Sequence, residues 1–364
     1  MKTNIMHVRK KQTPRGLFEF KLGNGRVDYC AEYKYLGVTV NENLNFEQTN
    51  FELCESAGRA LGGLITKMIK NGGFPLTVYS KLYESLVCSI SDYGSEVFGF
   101  HEFQSLEKTH SRAIRAFIGV PRSTPVPGMR AEMNWLEPRS RTQLRMIRFF
   151  HRISNLPESR LTKRILRWDS KISREVNFAT WSNEIENILS RNSLRELFVS
   201  NIFDLTTTIK SLQSSLLKKD LEKFHGQCQI MPKLRTYNRV AIFNSNKCYL
   251  TKPLSFIQRK FLAKLRLGVL GLRIETGRYE RPRRLPEERI CRQCTLGTTE
   301  DEAHFILHCP RHTLLRNDLL TNLSLEDFTN LNENEKLKFL LNDPTIVKQT
   351  AQFIVNAFDN READ

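Results

Sequence analysis

Three cysteines and one histidine crowd into residues 291–309, which read CRQCTLGTTEDEAHFILHC. Two residues separate Cys291 from Cys294, nine more lead to His304 and four more to Cys309, giving C-x2-C-x9-H-x4-C. A cysteine pair at this spacing can grip one Zn2+ through a tight turn, and a histidine with a cysteine one helical turn further on closes a tetrahedron. The segment has too few apolar residues for a core of its own, so metal closure would stand in for one. His308 and His312 are rival fourth ligands. A helix through Glu302 to Leu307 favours His304, which it seats among Phe305, Ile306 and Leu307, whereas His308 adjoins Cys309 and would crowd it. Three reduced structural cysteines near a helical histidine are the plainer alternative. Four protein ligands leave no open position for water, so the expected ion is structural rather than catalytic.

A second pattern suits anions. In RSRTQLRMIRFFHR, Arg141, Arg145, Arg148 and Arg152 recur at intervals of four, three and four. On a helix, at about 100° per residue, they form one stripe, and Leu144, Met146, Ile147 and Phe150 fill much of the remainder. The stripe holds no acid, and such a row can follow a phosphate backbone; a solvated charged face is the alternative. Trp135, Phe149 and Trp168 offer stacking surfaces, although core packing suits each of them better. A further basic run, RYERPRRLPEER, leads into the cysteines and contains Arg281, Arg283 and Arg284.

Composition points the same way. The 364 residues carry 56 Lys plus Arg against 39 Asp plus Glu, a net charge of +17. Between Lys108 and Arg152 stand ten basic residues and two acids, and between Arg259 and Arg292 eleven and four. Charge focused in patches captures polyanions, so RNA or DNA is the expected partner. A hydrophobic share of 40% excludes wholesale disorder. No run approaches the ~18 apolar residues of a membrane helix, and MKTNIMHVRKKQTPRG lacks a signal-peptide core, so no membrane association is expected. An intracellular site, nucleus or cytoplasm, follows, with Arg9 to Lys11 only a short basic cluster. There Cys30, Cys54, Cys88, Cys228 and Cys248 read most simply as small core residues. No Gly-rich phosphate loop and no hydrolase signature is present.

The elements that must position these residues are mainly helical. LFEFKL, then Gly23, Asn24 and Gly25, then RVDYC and YKYLGVTV predict two or three antiparallel strands, with the Asn-Gly pair at a hairpin turn. From Phe46 the periodicity becomes helical, over 47–70, 75–92 and 103–118, the last burying Phe103, Leu106, Ile114 and Phe117. Further helices are expected over 138–154, 161–168, 181–189, 206–224 and 254–267. The fold class is therefore mainly α, with a small N-terminal antiparallel β-hairpin or meander. Five consecutive parts are expected: a β part over 1–45, helical parts over 46–155 and 156–250, a basic segment with the CCHC knuckle over 251–320, and a polar helical tail over 321–364.

Three stretches in this order resemble one family. KTNIM at 2–6, YKYLGVTV at 33–40 and the cysteine cluster are similar to the C-terminal part of reverse transcriptases encoded by non-LTR, LINE-type retrotransposons. AGRALGGL at 57–64, KLYESLVCSISDYGSEVFG at 81–99 and LEKTHSRAIRAFIGVP at 106–121 resemble the thumb of these enzymes. LGLRIETGRYERPRRLPEERICRQC resembles the approach to their zinc motif. The resemblance implies that Lys2 and Thr3 close a residual palm, with Lys2 matching a residue that assists pyrophosphate departure. It makes Tyr35, Leu36 and Gly37 a primer grip, 46–155 a thumb and 156–250 a linker. Cys291, Cys294, His304 and Cys309 match the family's Cys-Cys-His-Cys motif.

The departure is in the carboxylates. Polymerases hold two divalent ions about 4 Å apart on paired Asp, and in the family those acids lie partly on an aromatic-x-Asp-Asp hairpin upstream of the stretch matched here. In these residues no two Asp are adjacent, and Asp92, in the helical SDYG stretch, is expected to be a cap or surface acid. The expectation is a truncated polymerase that binds RNA or DNA and structural zinc, holds no Mg2+ and does not copy by itself. A catalytic half encoded upstream, or a zinc-stabilised interaction protein, are the alternatives.

Overall fold

Two β-hairpins precede an otherwise helical chain. The structure is a computed structural model that describes residues 3–176, 180–200, 204–242, 248–321 and 328–362. Lys2 and the side chain of Cys248 lie outside that description.

In the first hairpin β1 (Phe20–Leu22) pairs antiparallel with β2 (Gly25–Val27), Leu22 opposite Gly25. The two turn residues are thus Gly23 and Asn24, one position earlier than the Asn-Gly pair suggests. Gly23, at φ 60°, supplies the positive φ that the first position of a type II′ turn requires. In the second hairpin β3 (Glu32–Tyr35) pairs with β4 (Val38–Asn41) around Leu36 and Gly37, at φ 48° and 84°. Positive φ at both positions is the type I′ pattern, which ordinarily selects Asn-Gly; leucine is costly there. The Tyr93 hydroxyl donates to the Leu36 carbonyl at 3.0 Å and steadies this tip.

The helices follow the periodicity closely. Glu47–Lys70, Gln104–Ile118 and Pro138–Ser154 occupy the expected ranges, while the helix expected to end at 168 continues to Val176. The 75–92 stretch is helical throughout in three pieces, with a π-helical middle over Tyr83–Cys88. Phe103, Leu106, Ile114 and Phe117 are buried as their spacing requires, and so are Cys54, Cys88 and Cys228. Among the described residues no helix is long and apolar enough to cross a membrane.

The chain forms two compact units that are interleaved in sequence rather than consecutive. The first comprises Met1–Leu61, Glu84–Thr109 and Pro138–Gln213. Its core gathers Cys54, Phe98, Phe103 and Leu106, with Val38 of β4 and Phe46 packed against them. Phe46 and Phe98 stack with centroids 4.6 Å apart. The helix Pro138–Ser154 buries Leu144, Met146, Ile147 and Phe150.

The second unit comprises Gly62–Tyr83, His110–Glu137 and Ser214–Asp364. At its centre Arg266 and Glu132 form an ion pair at 2.9 Å with both side chains fully buried. The Tyr249 hydroxyl donates to the other Glu132 oxygen at 2.8 Å, and Arg266 also donates to the Leu341 carbonyl at 2.9 Å. One guanidinium thereby joins helices Val126–Met133, Phe256–Arg266 and Glu333–Asn342. The last helix, Val347–Glu362, buries Val347, Ala351, Phe353, Ile354 and Ala357. The segment that reads as a polar tail is therefore a packed core helix with a polar outer face.

Breaking a buried pair strands a charge, whereas removing both halves does not. Glu132→Leu is expected to cost about 3–5 kcal/mol in urea unfolding, and the double variant Glu132→Leu/Arg266→Met far less than the two single changes added. Simple additivity would show that the pair is not coupled.

Candidate metal centre

The four predicted ligands converge. One ligand atom from each of Cys291, Cys294, His304 and Cys309 lies within 4.8 Å of all the others, and Cys294 Sγ is 3.5 Å from His304 Nε2. Tetrahedral M–S bonds of about 2.3 Å and M–N bonds of about 2.0 Å place donor atoms roughly 3.5–3.8 Å apart, so the arrangement fits one thiophilic ion. Cys291, His304 and Cys309 are buried and Cys294 is half-buried.

Local backbone chemistry sets this up. Ile290 and Thr299 form an antiparallel bridge, and Cys291 N donates to Thr298 O at 2.9 Å, closing a short loop that carries the first two cysteines. Asp301 caps the next helix, its carboxylate accepting from His304 N at 2.8 Å. That helix then widens into a π turn, His304–His308, in which Cys309 N donates to His304 O at 2.7 Å. The i→i+5 bond brings two ligands five residues apart to one side; single π turns of this kind recur at functional sites. Arg316 fixes the end of the turn by donating to Ile306 O at 2.7 Å and Cys309 O at 2.8 Å.

The surroundings orient the ligands. Thr298 Oγ1 lies 3.1 Å from His304 Nδ1, which leaves Nε2 to face the cysteines, the arrangement by which a neighbouring acceptor selects the tautomer of a ligating histidine. Glu300 approaches Cys291 Sγ at 3.7 Å, but its other oxygen accepts from Arg273 N and from Arg361, at 2.8 and 2.9 Å. Glu302 is held by Arg235 and by Thr236. These two acids anchor the module to the body of its unit. His308 is exposed and pairs with Glu333 at 2.9 Å, and His312 is buried edge-on against Phe305 and Phe353. His304 is thus the histidine of the cluster.

Burial pushes the Cys291 and Cys309 thiols up and the His304 imidazole down. At neutral pH the imidazole is a ready ligand, whereas a metal must displace thiol protons, so affinity rises with pH. With four protein donors the centre has no place for a reacting water, and the chemistry it can supply is structural.

The other predicted residues fare differently. The arginine stripe is divided: Arg141 grips Asp92 through two bonds, 2.6 and 2.9 Å, and Arg145 lies 3.5 Å from Asp92 and 3.7 Å from Glu96. Asp92 is the C-cap residue of the helix piece Ser89–Ser91, as expected, but it is fully buried rather than a surface acid, because these two guanidiniums and the Ser91 hydroxyl replace its water. Arg141 and Arg145 are therefore drawn to internal carboxylates, Arg141 the more closely, while Arg148 and Arg152 are exposed. Arg281 and Arg283 are exposed, and Arg284 is drawn to Glu280 at 3.5 Å. Tyr35, Leu36 and Gly37 form the tip of the second hairpin, with Tyr35 and Leu36 exposed. Trp135 stacks on Tyr83 at 4.8 Å and Phe149 packs against Trp181, but Trp168 is 64% exposed, against the expectation of core packing. Thr298, Asp301 and Arg316 were not singled out in the sequence; the Thr-Thr-Glu-Asp-Glu run between the second and third ligands was the available signal. Compared with protein-family models, curated proteins and solved structures, the chain matches none.

Elemental analysis of the reduced protein is expected to give one tightly held metal ion per chain, lost in Cys294→Ser and His304→Ala and retained in His308→Ala. Thr298→Val should keep the ion but weaken it by about 10–100-fold, as loss of an orienting partner does. Retention of the ion in His304→Ala would remove that residue from the ligand set.

Proposed function

We propose that this chain is a zinc-stabilised nucleic-acid-binding protein, the gripping C-terminal portion of a LINE-type reverse transcriptase, which holds RNA or DNA without copying it by itself. The observation that carries the binding role is the pair Arg281 and Arg283, exposed directly ahead of the ligand cluster and with no carboxylate partner among the described residues. The nearby acid, Glu280, is already surrounded by Arg273, Arg284 and Arg292 and is held below the usual carboxylate range chiefly by the Arg273 hydrogen bond. Cations left over next to a loop that a bound ion would close are the pattern expected of a metal-ordered phosphate-binding loop. Three cysteines and a histidine suit Zn2+ among common ions.

The family assignment is supported by the order of its motifs and by the exposed Tyr-Leu-Gly tip. The absence of copying rests on the acids. Phosphoryl transfer of this kind needs carboxylates free to hold two metal ions. These residues contain no adjacent Asp pair, and Asp92, the acid beside Tyr93, is committed to Arg141 and Arg145.

Binding through ~6–10 phosphate contacts would weaken about 10³- to 10⁵-fold between 50 and 200 mM salt. Arg281→Ala and Arg283→Ala should each reduce the slope of log affinity against log salt by roughly 0.9. Arg141→Ala should leave the slope unchanged and instead cost about 3 kcal/mol or more of stability, because it uncovers buried Asp92. A flat salt dependence would refute the binding role, and extension of a primed RNA template with Mg2+ would refute the absence of copying.

A further inference from the structure

The helix Leu161–Val176, LTKRILRWDSKISREV, presents two stripes that its packing leaves uncovered. At about 100° per residue, Lys163, Arg164, Arg167, Lys171 and Arg174 fall within roughly 100° of arc, and Leu161, Ile165 and Trp168 within the next 60° or so. Leu161 is 67% exposed, Ile165 52% and Trp168 64%, while Leu166 turns into the core. Burial of its apolar stripe is the usual source of stability for an amphipathic helix, so a stripe of this kind in water marks a binding surface rather than a folding requirement.

The cationic stripe borders a cleft of 380 Å³, within the range that takes small ligands. Its floor is apolar, formed by Leu166 with Phe150 and Phe198, whose rings stack at 5.5 Å. The Ser154 hydroxyl on its wall is cut off from solvent without a hydrogen-bond partner. Arg167 meets Glu158 at 2.6 Å and Lys171 meets Glu175 at 3.7 Å, all four side chains more than half exposed, and the Lys163 ammonium donates to the Ser154 carbonyl. Exposed pairs of this kind hold so weakly that a phosphate can take the place of the carboxylate. Arg164 and Arg174 have no acidic partner among the described residues.

We propose that this helix is a single-strand nucleic-acid site, in which phosphates follow Lys163, Arg167, Lys171 and Arg174 along the cleft, with Arg164 outside it, and a base stacks on Trp168. The inference deepens the binding function proposed above and rests on it. Charge selects the occupant: an apolar stripe alone would suit a partner helix, but an indole with Arg164 and Lys171 one helical turn to either side suits a polyanion that also has flat apolar faces. A duplex hides those faces within its stack, so the strand must be single.

The test uses full-length, metal-loaded protein, an oligouridylate of about 12 nucleotides and an abasic phosphodiester chain of equal length. Of the three tryptophans, Trp135 is stacked on Tyr83 and the Trp181 indole donates to Glu96 O at 3.0 Å, so a bound base reaches Trp168 alone. The oligouridylate should quench tryptophan emission and the abasic chain should not. Trp168→Ala should abolish the quench and weaken oligouridylate binding about 5- to 150-fold, with no change for the abasic chain. Trp168→Phe should restore most of the affinity, and unchanged circular dichroism would show that these variants are folded. Binding with unaltered emission and equal affinity in Trp168→Ala would overturn the site and leave general nucleic-acid binding standing. Failure of every oligonucleotide to bind, here and in the Arg281 and Arg283 titrations, would overturn both readings together.

Discussion

A guanidinium taken out of water must find carboxylate or carbonyl oxygens, and both units of this chain are built around that requirement. Arg266 is matched by Glu132 and by the Leu341 carbonyl. Arg259 donates to the carbonyls of Phe117 and Phe74 while its charge lies 4.1 Å over the Phe117 ring. Arg289 ties the carbonyls of Ile274 and Arg284 together, and Arg130 meets Glu137 at 3.0 Å. In the first unit Arg141 does the same for Asp92. Residues that read as basic patches therefore divide into two populations, one that holds helices together and one that stays exposed.

The metal module obeys the same rule. Its acids are what join it to the body of its unit, Glu300 to Arg361 and Glu302 to Arg235, so the charged run between the ligands is adhesive rather than solvated. Its apolar residues are equally engaged: Phe305 and Ile306 are buried, and Phe305 packs against His312 and Phe353. The expectation that metal replaces a core is thus only partly right. An ion held by the four ligands would close the loop of Cys291 and Cys294, while the ligand-bearing π turn rests on an apolar floor to which Phe353 of the last helix contributes.

What was legible in the sequence was local. Helix limits follow from a 3.6-residue period that packing does not alter, and the ligand set follows from spacings that a single ion imposes. The pairings were not legible, because Asp92 and Arg141 are 49 residues apart and Glu132 and Arg266 are 134 apart, and no local pattern marks such partners. The Gly23 turn was misplaced by one residue because glycines flank Asn24 on both sides and only strand register decides between them. The last helix was expected, but its packed inner face was obscured by the Asn and Asp residues on its outer face. Trp168 was assigned to a core on residue type alone, although Leu166 satisfies that side of the helix.

Function lies in what remains after the fold has been satisfied. Leu36 stands at positive φ and 72% exposed at a hairpin tip, where asparagine would cost less in backbone energy and leave no apolar surface in water. Trp168 stands 64% exposed on a helix already anchored by Leu166. Neither position contributes to a core. Arg164, Arg174, Arg281 and Arg283 share that status among the charges, exposed and without a carboxylate partner among the described residues, whereas Arg141 and Arg266 are matched over long distances. Apolar surface and positive charge, each left over from folding, are what the proposed single-strand site would draw on.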